Sequence, residues 1–158
     1  MRKLGGMFNI VLAEPEIPHN AGAAGRLALA TDSTLHLVKP LGFSLEDKHV
    51  RRTGLDYWQD VRLKVWESYD EFQSANADAR MWFLSTKATN SPWTADFKPG
   101  DFLVFGRETK GLPESVVNAA GDKALRIPMA PGGTRSLNLS TAVAIVLYEA
   151  ARQQAPGW

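Results

Sequence analysis

Four short stretches hold the residue types that chemistry needs: EPEIPHN from Glu14, LSTKATN from Leu84, FGRETKGLP from Phe105 and PMAPGGTRSLN from Pro128. In the third, Gly106 directly follows an apolar run, so a ligand can approach backbone there with no Cβ in the way. Gly111 suits the same loop as a turn residue with positive φ. In the fourth, Gly132 and Gly133 precede Ser136, Asn138 and Ser140 at the start of a helical pattern. Short polar side chains there accept hydrogen bonds from the unpaired N–H groups of a first turn. One would suffice as a cap. Three, after two glycines, describe a loop shaped to hold something against the helix.

Several chemistries find no support. GxGxxG does not follow the first apolar run, GxxxxGK[ST] is absent, and Lys110-Gly111 reverses the phosphate-loop order. His19, His36 and His49 lack ligand spacing, so no metal is expected. Without cysteine, and with no serine in a GxSxG setting, covalent hydrolysis is poorly supported. The densest basic cluster, Lys48, His49, Arg51 and Arg52, suits either a grip on RNA phosphates or an ordinary solvated face. His19 has no assigned role.

The elements that must position these loops follow from hydrophobic patterning. Residues 8–13 (FNIVLA) form a nearly continuous apolar run, the mark of a strand buried on both faces. Asn20 can cap a helix reaching to about Ala30, closed by Thr31-Asp32-Ser33. TLHLVK alternates as a second strand, and LKVW, MWFLS, DFLVFG and ALRI supply four more. A helix is expected around 45–52, a weak one at 70–77, and another in PESVVNAA with Pro113 in its first turn. Residues 87–100 read as an irregular surface connection. The last helix places Leu139, Ala142, Val143, Val146, Leu147 and Ala150 on one stripe, widened by Ile145 and Tyr148. That width predicts burial against the sheet and against a second subunit.

Strands alternating with helices predict an α/β fold, a parallel sheet flanked by helices. In such sheets ligands sit beyond the carboxyl ends of the strands, where the four stretches fall. The chain has 158 residues, enough for one domain with its own core, and no linker or internal repeat divides it. Its 44% apolar and 22% charged content is that of ordinary globular proteins. The absence of cysteine fits a reducing, cytoplasmic setting. No apolar run approaches the roughly 18 residues of a membrane span, and the basic-then-apolar N-terminus reads as a first strand rather than a signal peptide. A net charge of +1 confines any nucleic-acid surface to a local patch.

Taken in order, NIVLAEPEIPHNAGAAGR, DKHVRRTGLDY, FGRETKGLP and RIPM followed by SLNLSTAVAIVLYEA are specific. The chain resembles the SPOUT superfamily of RNA methyltransferases, specifically the small TrmL (YibK-like) tRNA 2′-O-methyltransferases, from Asn9 to about Arg152. It departs from that family's pattern at Arg107, where Pro or Ser is common, and in a loop at Gly132-Gly133 that is about one residue longer.

The resemblance implies a deep trefoil knot in the C-terminal half, an antiparallel homodimer, and S-adenosylmethionine resting on Leu84, Gly106, Ile127, Met129, Ser136 and Leu137. It implies methylation of the ribose of tRNA nucleotide 34, cytidine or a modified uridine, in leucine tRNAs. Another tRNA or ribosomal RNA ribose, or a non-catalytic RNA-binding module, remains the alternative. It also makes Arg26 the candidate activating residue, with Asn20 ordering its loop at the RNA-binding side, while Arg51 and Arg52 of the basic cluster are the expected RNA contacts. A guanidinium almost never accepts a proton, so Arg26 fits better as a stabiliser of the developing alkoxide or a phosphate clamp than as a base. Tyr148 is a second catalytic candidate or a packed tyrosine. Glu108 orients the cofactor loop or bonds its backbone.

Overall fold

The strand-forming runs lie side by side in one sheet. The structure, a computed structural model, describes residues 7–50 and 55–154. Six strands, β1 (Asn9–Ala13), β2 (Thr34–Val38), β3 (Leu63–Trp66), β4 (Met81–Leu84), β5 (Phe102–Phe105) and β6 (Ala124–Leu125), pair in the order β3-β2-β1-β5-β4-β6. Every pairing is parallel. Among the described residues, the helices that cover it include α1 (Pro18–Ala30), α2 (Tyr69–Ala75), α3 (Glu114–Ala120) and α4 (Leu139–Gln154).

Side chains alternate across the strands and feed two cores. Ile10, Leu12, Leu35, Leu37, Leu103 and Phe105 meet Ala21, Ala24 and Ala28 of α1 and Val143, Val146 and Leu147 of α4. On the opposite face Val11, Val38, Phe83, Phe102 and Val104 meet Phe72 of α2 and Val117 of α3. Small residues let α1 approach closely. A Cβ on Gly25 would come within 2.7 Å of the Trp58 ring.

A polar cluster at His36 is buried against the sheet. Trp66 Nε1 donates to His36 Nδ1 at 3.1 Å, and His36 Nε2 lies 2.8 Å from Asn9 Oδ1. An indole only donates, so Nδ1 accepts and Nε2 carries the proton that Asn9 takes. His36 is therefore neutral, and burial, reinforced by the Lys64 charge, lowers its pKa to about 4.

Five expectations change. Asn20 does not cap α1: Ile17 is the N-cap residue and Pro18 starts the helix. Pro113 sits at the N-cap of α3 rather than inside its first turn. Strand β6 stops at Leu125, because Arg126 N turns to Asn90 O at 2.7 Å and Pro128 has no N–H with which to extend a ladder. Residues 87–100 are not merely a surface connection. Phe97 is fully buried with its ring 5.1 Å from Trp82, and Gln153 bonds Phe97 N and Ala95 O. Finally, α4 buries one face, including Leu139, Val143, Val146, Leu147 and Ala150, while Tyr148 is exposed. Residues 48–50 are helical, within the stretch expected to be a helix.

Candidate functional site

From β1 the chain runs to one side of the sheet through β2 and β3, while β5, β4 and β6 lie on the other. The crevice at the carboxyl ends of β1 and β5 is therefore the point where strand order reverses, the usual ligand position in such sheets. A cavity of about 620 Å³ opens on this edge. That size suits a small-molecule or cofactor site. Leu84, Gly106, Ile127, Met129, Ser136 and Leu137 all line it, so the structure brings together every position expected to hold a cofactor. Phe105, Leu112, Leu125 and Leu139 add apolar surface, and Lys87, Lys110 and Arg135 are exposed cations on its lining.

Two glycines shape the wall that follows β5. A Cβ on Gly106 would lie 2.2 Å from Gly111 C and Leu112 N, both backbone atoms that cannot swing aside. Gly111 has φ +66°, and its N–H closes the turn on Arg107 O at 2.9 Å. Gly111 takes the positive-φ turn that the sequence reading gave it, whereas the space at Gly106 is taken by the backbone of Gly111 and Leu112 rather than kept for a ligand.

Across the crevice this wall grips the segment that leads into α1. Glu108 accepts from Glu16 N (2.7 Å) and Ile17 N (2.8 Å), taking backbone donors just ahead of the helix that no side chain of α1 serves. It also accepts from Asn20 Nδ2 at 3.1 Å. Glu16 returns the contact, accepting from Thr109 N (3.0 Å) and Thr109 Oγ1 (2.8 Å); these bonds hold its carboxyl below the usual range. Arg107 pairs with Glu14 at 2.6 Å. Glu108 thus does what the sequence reading offered as a structural alternative, bonding loop backbone, and it also orients Asn20. Partners about ninety residues apart in sequence leave no local signal of this arrangement.

Asn20 is nearly fully buried and lines the cavity. At the opposite wall Asn138 caps α4, its Oδ1 accepting from Thr141 N (3.2 Å) and Ser140 Oγ (2.6 Å). Ser136 is no cap. Its carbonyl accepts from Thr134 Oγ1, and it lines the cavity.

Arg26 and Tyr148 stand apart. Arg26 is exposed, with its guanidinium carbon 5.4 Å from the centre of the Tyr57 ring. Six residues beyond Asn20, it lies about 9 Å further along α1 and faces a different direction. Tyr148 lies about 13 Å along α4 from the end that borders the cavity. Neither lines the cavity in this chain. Arg51 and Arg52 lie outside the described residues. Among the described residues no group of three or more His, Cys, Asp or Glu side chains is placed to hold a metal, and no helix is long and apolar enough to cross a membrane.

The family model for the SpoU rRNA Methylase family matches residues 7–148. A tRNA (cytidine(34)-2'-O)-methyltransferase of Methylovorus glucosotrophus is 49% identical over 148 residues, 93% of this chain and 96% of the relative. A solved structure described as "Structural insights into the 2-OH methylation of C/U34 on tRNA" superposes with a TM-score of 0.89 at 45% identity, covering 96% of this chain and 98% of the other. The AdoMet-bound rRNA methyltransferase of Sinorhizobium meliloti does so at 0.83 and 25% identity, covering 95% of this chain and 57% of its own. The chain belongs to the SpoU rRNA methylase family, in the TrmL-type branch of the SPOUT methyltransferases.

Proposed function

We propose that this protein transfers a methyl group from S-adenosylmethionine to the 2′-hydroxyl of the ribose at nucleotide 34 of tRNA. The observation that carries the reading is the closure of Leu84, Gly106, Ile127, Met129, Ser136 and Leu137 around one cavity at the strand-order reversal. Identity of nearly half over almost the whole chain to an enzyme named for cytidine 34 supports the substrate.

The residues present fit such a donor. Apolar side chains from three strand ends offer a bed for a base, and loop backbone offers amides and carbonyls to a ribose and an amino-acid tail. Bound there, S-adenosylmethionine supplies a methyl group activated by its sulfonium. Asn20 is placed to orient the incoming hydroxyl. A carboxylate only accepts, so the Asn20 amide points its NH2 at Glu108 and turns its carbonyl away from that carboxylate. Lys87, Lys110 and Arg135 put positive charge where a polyanion would approach.

Arg26 and Tyr148 enter this reading as residues presented across a homodimer contact, since both are exposed and outside the cavity of their own chain. Arg26 then stabilises the alkoxide or holds a phosphate, and Arg51 and Arg52 extend the RNA surface. The trefoil knot, a cytoplasmic setting, and substrates that are cytidine or a modified uridine in leucine tRNAs belong to the same reading.

The test is methyl transfer from labelled S-adenosylmethionine to separate pools of tRNA and ribosomal RNA. Label in tRNA alone supports the proposal. Label confined to ribosomal RNA favours the other branch of the family. Donor binding without transfer to either pool favours a non-catalytic module.

A further inference from the structure

Three consecutive side chains, Arg107, Glu108 and Thr109, reach from the cavity wall to the segment between β1 and α1. Glu108 and Thr109 hold residues 16–20. Arg107 alone reaches back to the strand end itself. Its partner Glu14 follows the last residue of β1, and both residues lie two positions beyond the paired Leu12 and Phe105 of adjacent strands. The pair therefore spans the crevice where the strand order reverses.

Glu14 occupies a costly conformation there. Its φ is +57°, a left-handed value unfavourable for a residue with a Cβ, and its N–H still bonds Val38 O at 2.9 Å. The bend turns the Glu14 carboxylate towards β5, where Arg107 meets it and has its own pKa raised by that bond. Arg107 lines the cavity and Glu14 does not. The Arg107 carbonyl also accepts the Gly111 N–H that closes the wall. One residue thus anchors the wall twice, once through backbone to its own turn and once through its guanidinium to the neighbouring strand.

We propose that Arg107 is a positioning residue for the methyl donor: through Glu14 it sets the width of the crevice that the wall 106–112 borders. This rests on the cavity being the donor site. Both side chains are partly exposed, so solvent weakens the pair, and its loss should cost no more than a few-fold in affinity.

The experiment is a double-mutant cycle on S-adenosylmethionine affinity, using Arg107→Ser, Glu14→Gln and the two combined. Each single change is expected to raise the donor Kd about three- to fivefold, with the combination no worse than either alone. Arg107→Lys, which keeps the charge, should recover most of the affinity. In turnover the loss should fall on KM for the donor rather than on kcat, which a general loss of stability would not produce. If the wild-type protein fails to bind the donor, the reading of the cavity is wrong. If it binds and the variants bind equally well, or the two changes act additively, the positioning role alone is wrong. Weakened tRNA binding with unchanged donor affinity also overturns it, making Arg107 a reader of RNA.

Discussion

Asn20 gives its side-chain NH2 to Glu108 at 3.1 Å, across 88 residues of sequence, and that bond fixes the orientation of an amide on the cavity lining. The carboxylate that fixes this orientation also takes the N–H groups of Glu16 and Ile17, so a single side chain both completes the start of α1 and aims a residue inside it.

Glu108→Gln should therefore cost more than its size suggests. Glutamine has one carbonyl where three donors need two oxygens, and its NH2 would face a backbone N–H. Charge-assisted hydrogen bonds of this kind contribute about 1.5–3 kcal/mol each. The expected outcome is a fall in kcat of roughly tenfold or more, with donor affinity less affected. Steady-state kinetics with both substrates varied checks this. Loss of donor affinity alone would assign Glu108 to the cofactor wall instead.

Gly106→Ala should weaken donor binding strongly while the protein stays folded. The added methyl meets backbone of Gly111 and Leu112 at 2.2 Å, so the wall must move. Overpacking of this kind costs about 1–3 kcal/mol, and the donor Kd should rise by about tenfold or more. Calorimetry reads the affinity and thermal unfolding the stability. Wild-type binding in the variant would mean that the wall tolerates displacement.

The pH dependence of stability should carry the signature of His36. The folded protein keeps this imidazole neutral to about pH 4, whereas the unfolded chain takes up a proton near 6.5. Between those values the unfolded state binds more protons, so stability is full above pH 6.5 and declines as pH falls towards 4. The loss amounts to at most about 3 kcal/mol. Denaturant midpoints across pH 4–7, compared with His36→Leu, should show a shallower slope in the variant. Equal slopes would mean that His36 titrates alike in both states.

Arg26 and Tyr148 should act on the cavity of a partner chain. Mixing Arg26→Ala subunits with Gly106→Ala subunits should restore methyl transfer, because one composite site then has both intact components. Failure of the mixture to recover, with mixed dimers shown to form, would place Arg26 in the site of its own chain.

Much of this arrangement was legible in residue order. Continuous apolar runs such as residues 8–13 mark strands buried on both faces, and glycines at strand ends mark the loops that border a ligand. Those signals are local. What could not be read is what depends on pairing over long distance. The backbone donors just ahead of α1 are served by a carboxylate from residue 108, so the reading of Asn20 as the cap had no local signal to correct it. Phe97 stands in a stretch rich in polar residues, with no periodicity to show that it packs under Trp82. His36 occupies an inward position in an alternating strand, where only the three-dimensional neighbours Asn9 and Trp66 explain a polar side chain. Arg26 is visible as a motif residue, yet only the turn of α1 shows that it faces away from the cavity of its own chain.

The most direct test of the proposed activity is nucleotide mapping by mass spectrometry. Purified protein and S-adenosylmethionine are incubated with tRNA from cells lacking this gene, alongside a leucine tRNA carrying 2′-deoxycytidine at position 34. The expected result is a methyl group on the ribose of nucleotide 34 in the first and none in the second. A methyl group on the base, at another nucleotide, or on the deoxy substrate would contradict transfer to the 2′-hydroxyl at that position.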